Sequence, residues 1–114
     1  MGAQLRRQIV AHLAQTELVL TARVRFAASA PGYVAQPFSQ DDWIGLDAHA
    51  DARTALDAYS ALRRFNVAMF RNLTHEQRTR PFGHPEYGEV TPAWVAAQLA
   101  GHEIHHLKQL ERVG

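Results

Sequence analysis

An all-α fold follows from three features of the 114-residue chain. Long segments carry apolar residues at helical spacing, proline and glycine gather in two short stretches, and no strand-like alternation of useful length is present. The breaks run from Pro31-Gly32 through Pro37 and from Pro81 through Pro92, leaving three stretches free of proline and almost free of glycine. No internal repeat or low-complexity segment is evident, and the length predicts a single domain over residues 1–114.

The first helix is predicted from about Gln4 to Ala28. Leu5, Ile9, Leu13, Thr16, Leu20, Val24 and Ala27 share one broad stripe there at about 100° per residue. In the connection that follows, Ser39 can cap a short helix through Trp43; without it, Ser29 to Ala48 would be an unusually long structureless loop. Tyr33, Phe38 and Trp43 suit this crossover to being pinned back over the body. The second helix spans about Asp51 to Leu73. Its apolar residues, among them Leu56, Tyr59, Leu62, Phe65 and Met69, cover more than half its circumference and predict packing on two sides. Thr74-His75-Glu76-Gln77 has the form of a capping box opening one or two turns.

The third helix takes Thr91 as N-cap and Pro92 as its first residue, and runs to about Arg112. Its stripe is Val95, Leu99, Leu110 and Val113, with a second apolar edge at Ala97, Ala100, Ile104 and Leu107. Val10 and Leu18 add apolar surface outside the stripe of the first helix. Three helices with surplus apolar surface predict an up-and-down bundle completed by another chain, hence a homodimer or higher homo-oligomer. The alternative is that the crossover covers the surplus.

Composition removes several functional classes. Twelve Lys and Arg against eleven Asp and Glu leave a net charge of +1, which does not suit a protein that binds nucleic acid by neutralising phosphates. The absence of cysteine excludes disulfides, thiolate nucleophiles and cysteine-ligated zinc or iron–sulfur sites. No uncharged apolar run approaches the roughly 18 residues of a membrane helix, so no membrane association is expected. The early Arg6-Arg7 pair and Ala28-Ser29-Ala30 are faintly like a signal peptide, but His12, Glu17, Arg23 and Arg25 interrupt the apolar region it needs. A cytoplasmic location is the expectation.

Any metal would rest on His, Asp or Glu, and the chain has seven histidines. His102 and His106, four residues apart, fall within the inward stripe of the third helix and point the same way, one turn apart. Two buried imidazoles without partners are costly, and a divalent cation would accept a lone pair from each. His12 lies at the edge of the first helix's stripe, so three inward histidines from two helices can form a His₃ set with an open position. Hydrogen-bonded core histidines are the competing reading. His105 lies roughly 80° from the stripe's centre, a flank position. His49, His75 and His84 read as solvated loop residues.

Residues His102-Glu103-Ile104-His105-His106 also satisfy H-E-x-x-H, which would make Glu103 a general base beside zinc. The context does not suit a zinc peptidase: only eight residues follow His106, and no sheet edge is predicted to present a peptide. Glu103 could still serve as a base, or be a solvated helix residue.

Three segments together resemble the DinB/YfiT-like metal-binding helix bundles. Ile9-Val10-Ala11-His12-Leu13-Ala14-Gln15-Thr16-Glu17 is similar to the family's first ligand motif, a His-Leu followed by Glu. His84-Pro85-Glu86-Tyr87-Gly88-Glu89-Val90-Thr91 resembles its link into the last helix, and His102 through Leu110 its terminal His-rich signature. The resemblance implies a four-helix bundle with one long crossover and a divalent metal held by His12, His102 and His106, the set also suggested by helix geometry. It also implies dimerisation, and either hydrolysis or transfer and isomerisation with a low-molecular-weight thiol. The family's usual helix before the first ligand motif has no counterpart in this sequence, which coincides with the surplus apolar surface.

The function expected is therefore that of a metal-dependent enzyme, a hydrolase or thiol-dependent transferase, acting on a small molecule. Zinc, nickel or iron would suit imidazole ligands. Thr16, Tyr59, Asn66 and Gln109 are candidates to line its pocket. The alternative is a metal-stabilised module for binding or oligomerisation without turnover.

Overall fold

The computed structural model describes residues 2–113. Five helices and one small hairpin follow in order: α1 (Gly2–Ser29), α2 (Gln40–Ile44), α3 (Ala52–Asn72), α4 (His75–Thr79), β1 (Phe82–His84), β2 (Gly88–Val90) and α5 (Pro92–Val113). The three long helices lie where periodicity placed them, and local chemistry sets their starts. The Asp51 carboxylate accepts the N–H of Thr54 at 2.7 Å to open α3. Thr91 Oγ1 accepts that of Trp94 at 3.2 Å to open α5. Both halves of the capping box at Thr74 are formed, and Ser39 caps α2.

Helix α1 is the central element, with α3 and α5 packed along it. Its burial extends around most of the helix between Ile9 and Ala28. The apolar core is in two parts. The larger gathers Val24, Ala27, Leu73, Phe82, Val95 and Leu99; the smaller gathers Val10, Ala11 and Ala55, with Ile44 and Leu110 against it. Between them α1 carries His12, Gln15, Thr16 and Glu17, all buried and all polar. The bundle thus holds a polar layer between two apolar ones.

Glu17 shows how that layer is made tolerable. Its side chain is 2% exposed. Arg63 Nη1 donates to Oε1 at 3.0 Å, and Asn66 Nδ2 donates to Oε2 at 2.7 Å. Arg63 reaches on to Glu103 at 2.6 Å, so one guanidinium ties α1, α3 and α5 together.

Two expectations need correction. Helix α3 is not covered on two sides: only Ala55, Tyr59 and Asn66 are buried, and Phe65 is 67% exposed. Met69 and Phe70 pack against the larger core, whereas Leu56 and Phe65 stay exposed. The chain also contains strands, a three-residue antiparallel pair with Phe82 opposite Val90 and His84 opposite Gly88. Strands this short show no readable alternation. Gly88, at φ +75°, closes the turn in a conformation that L side chains avoid. Gly83 lets the hairpin meet the crossover, since a Cβ there would lie 3.3 Å from Val34 Cγ1. The contact is bonded on both sides: Ala35 N donates to Gly83 O at 2.9 Å, and Gly83 N to Tyr33 O at 3.0 Å.

The crossover is pinned by its aromatics, as expected. Tyr33 stacks on Phe26 at 5.2 Å and meets Phe82 at 5.8 Å. Polar anchors from α1 complete the attachment. Gln15 Nε2 donates to Trp43 O and to Asp47 Oδ2, and Arg23 Nη2 donates to Gln36 O at 2.7 Å.

Candidate metal centre

His12 reaches the polar layer from α1, and His102 and His106 reach it from successive turns of α5. Their ring centroids lie 4.7, 4.9 and 4.4 Å apart in pairs. His12 Nε2 and His102 Nε2 are 2.8 Å apart. Among the described residues this is the only group of three or more His, Asp or Glu whose ligand atoms all lie within 4.8 Å of one another.

The outer nitrogens are also placed. His106 Nδ1 lies 2.7 Å from Gln109 Oε1, an acceptor, so Nδ1 is the donor of this pair and Nε2 is the ring nitrogen left for a metal. Thr16 Oγ1 lies 3.4 Å from His12 Nδ1. Burial, reinforced by His106, lowers His12 to about 4. Burial also lowers His102 to about 4, with His106, His12 and His105 adding to it. Both rings are therefore neutral at pH 7, the state that can donate a lone pair. Without a cation, one proton at most bridges the two facing Nε2 atoms. This donor set fits a divalent ion: His12 and His102 are held neutral, the ring nitrogens converge, and the outer nitrogens of His12 and His106 have partners.

The remaining sequence candidates are dispersed. Thr16 and Gln109 stand beside the imidazoles, as expected of lining residues. Asn66 is spent on Glu17, and Tyr59 is buried with its phenol pushed well above the usual value by burial and then by Glu103. Neither belongs to the cluster. The Glu103 carboxylate is held by Arg63 rather than directed at the three imidazoles. His105, His49 and His75 are exposed.

His84 does not fit the solvated-loop expectation. Its Nδ1 accepts N–H bonds from Glu86 at 3.0 Å and Tyr87 at 3.2 Å, and its ring packs on Tyr87 and Trp94. It stands in the wall of a cavity of about 310 Å³ that also exposes His12, His102, Thr16 and Arg23. A second opening of about 330 Å³ meets the cluster from His12, His106 and Gln109. Sequence reasoning missed Arg23 as a site residue, although the signal existed: at about 100° per residue, position 23 falls about 20° from His12 on the helix wheel.

A helical bundle with a three-histidine cluster open to cavities has the donor set that a metal-binding bundle needs. Specifically, the chain belongs to the DinB superfamily, whose model matches residues 7–110. It is 30% identical over 106 residues to a protein of Oceanobacillus iheyensis named "Putative metal-dependent hydrolase", covering 92% of this chain and 61% of that one. A second protein of the same organism and name is 27% identical over 105 residues, again with 61% of its length covered. The chain thus spans about three-fifths of the length of these relatives. Among solved structures, it matches YfiT from Bacillus subtilis with a TM-score of 0.78 and 26% identity, covering 95% of this chain and 65% of that one. YfiT is described as a probable metal-dependent hydrolase with an unusual four-helix bundle topology.

Proposed function

We propose that the chain is a metal-dependent enzyme, a hydrolase or a thiol-dependent transferase, using a divalent cation held by His12, His102 and His106. The observation that carries this reading is that no fourth His, Asp or Glu joins the three imidazoles among the described residues, while cavities reach them from two sides. A structural site is normally closed by four protein ligands, whereas a catalytic one keeps a position free. A bound divalent cation supplies Lewis-acid activation of water or a thiol near neutral pH. The chain's residues do the rest: Gln109 orients His106, burial keeps His12 and His102 neutral, and Thr16 stands by His12 at the cavity wall. Zinc, nickel and iron all suit this donor set.

Elemental analysis of the purified chain beside its His106→Ala variant tests the reading, together with ester and amide hydrolysis before and after chelation. A stoichiometric metal lost in the variant, and activity lost on chelation and restored by metal, are expected. Equal metal in both proteins overturns the site.

A non-catalytic module stabilised by metal is the second reading. It draws support from exposed apolar side chains on α3 and α5: Leu56 at 42%, Phe65 at 67%, Ile104 at 56% and Leu107 at 45%. A second copy covering these faces would form a homodimer or higher homo-oligomer. Metal without turnover on any ester, amide or thiol-transfer substrate would favour this module.

A further inference from the structure

Arg23 is an unusual residue to find in this interior. It is only 5% exposed, yet among the described residues no carboxylate lies within ion-pairing distance of its guanidinium. Its one hydrogen bond is from Nη2 to the Gln36 carbonyl, a neutral acceptor. A guanidinium offers five N–H donors, and a buried one without an anion is held at a cost. Burial presses it below the usual arginine value, with Tyr33 opposing the shift.

Its position gives that cost a use. Arg23 and His12 share one face of α1, about 16 Å apart along the axis, and helical side chains lean towards the N-terminus. Both residues line the same cavity. His84 stands in that cavity wall too. With its Nδ1 occupied by two backbone N–H groups, its remaining nitrogen is Nε2–H, a donor. Leu20, Phe38 and Tyr87 give the same wall apolar and aromatic surface, beside polar Thr16 and Gln40. Glu86 lies in the wall as well, but it is exposed, so its charge is screened by water in a way that buried Arg23 is not.

We propose that Arg23 and His84 form a carboxylate-binding subsite, and that the cavity takes a small carboxylic acid with an apolar or aromatic body. The acid group seats on the guanidinium, and the opposite end of the molecule meets the imidazole cluster. This rests on the reading of the cluster as the reacting centre, but the subsite consists of the chain's own residues and is measurable without metal. Fork-like pairing with a carboxylate would supply Arg23 with the anion it lacks.

The test is a titration of the metal-free chain with phenylacetate and, in parallel, with phenylacetamide, which has similar shape and no charge. NMR follows the Arg23 Nε–H and the Gln36 and Tyr87 amides. Saturable shifts of these signals are expected with phenylacetate, at an affinity at least about tenfold above that for phenylacetamide. Arg23→Gln should remove this preference, and Arg23→Lys should keep only part of it. Equal affinity for the two ligands, or phenylacetate binding that leaves Arg23 unmoved, overturns the subsite. Should Arg23→Gln fail to fold because Gln36 loses its donor, the wild-type comparison still decides. Zinc uptake, measured separately, distinguishes the two claims. Zinc without phenylacetate binding defeats the subsite alone, and phenylacetate binding without zinc uptake defeats the metal centre alone.

Discussion

The Nε2 atoms of His12 and His102 meet at 2.8 Å although ninety positions separate them in the chain. The two residues sit on helices that pack directly against each other, and the approach brings two lone-pair-bearing atoms together in a buried layer. Neutral rings tolerate this with one shared proton; a cation would resolve it with none. The relation between these two residues therefore controls how metal and acidity act on the protein.

Metal should stabilise the fold through this pair. Zinc in excess is expected to raise the Tm of the wild-type chain by about 10 °C, since a ligand that binds only the folded state at about 100 times its Kd adds roughly 2.7 kcal/mol. His102→Ala should abolish the increase. Thermal unfolding with and without zinc measures both, and an equal rise in the variant would place the metal elsewhere.

Gln109 gives a graded test. It holds His106 through Nδ1, so Gln109→Leu should leave the three ligands in place but weaken metal binding by about 10- to 100-fold. Competition against a chromophoric chelator reads this directly. Unchanged affinity would mean that His106 is oriented by packing alone.

Acid should destabilise the metal-free chain. His12 and His102 lie near 4 when folded, against 6.5 ordinarily. Between these values the unfolded chain binds more protons, so stability falls as pH drops. The contribution is complete above about pH 6.5 and is lost on descent towards about pH 4. Tm measured from pH 7 to pH 5 should decline, and more shallowly in His102→Phe, which removes one titrating ring. Parallel slopes would assign the decline to other groups.

The two partners of Arg63 should behave differently. Arg63→Met leaves Glu17 charged and buried without its cation, at a cost of about 3–5 kcal/mol. Glu103→Gln removes a carboxylate that is 28% exposed and should cost less than about 1 kcal/mol. Because Arg63 engages Glu103, Glu103→Gln should also retain metal and any turnover. Chemical denaturation measures the first contrast; loss of activity with metal intact would restore Glu103 as the base.

Association is checked by mass. Sedimentation of the 12.8 kDa chain should give at least a dimer, and Phe65→Glu combined with Leu107→Lys should return a monomer. A compact wild-type monomer at high concentration would remove the proposed homo-oligomer.

The sequence by itself determined the helices and their starts. Apolar spacing, Asp51, Thr74 and Thr91 act within a turn or two, so their physics is local and can be read along the chain. It also singled out His102 and His106, because four residues of helix put two side chains on one face without help from the rest of the molecule. His12 could be nominated from its stripe, but its distance to that pair depended on how α1 lies against α5. Only the tertiary structure decided that Asn66 serves Glu17, that Arg63 engages Glu103, and that Arg23 and His84 share a cavity with the imidazoles. These relations arise from the packing of α1, α3 and α5 and from the hairpin docking on the crossover through Gly83. Such contacts join residues far apart in sequence, and neither periodicity nor motif spacing encodes the distance between them.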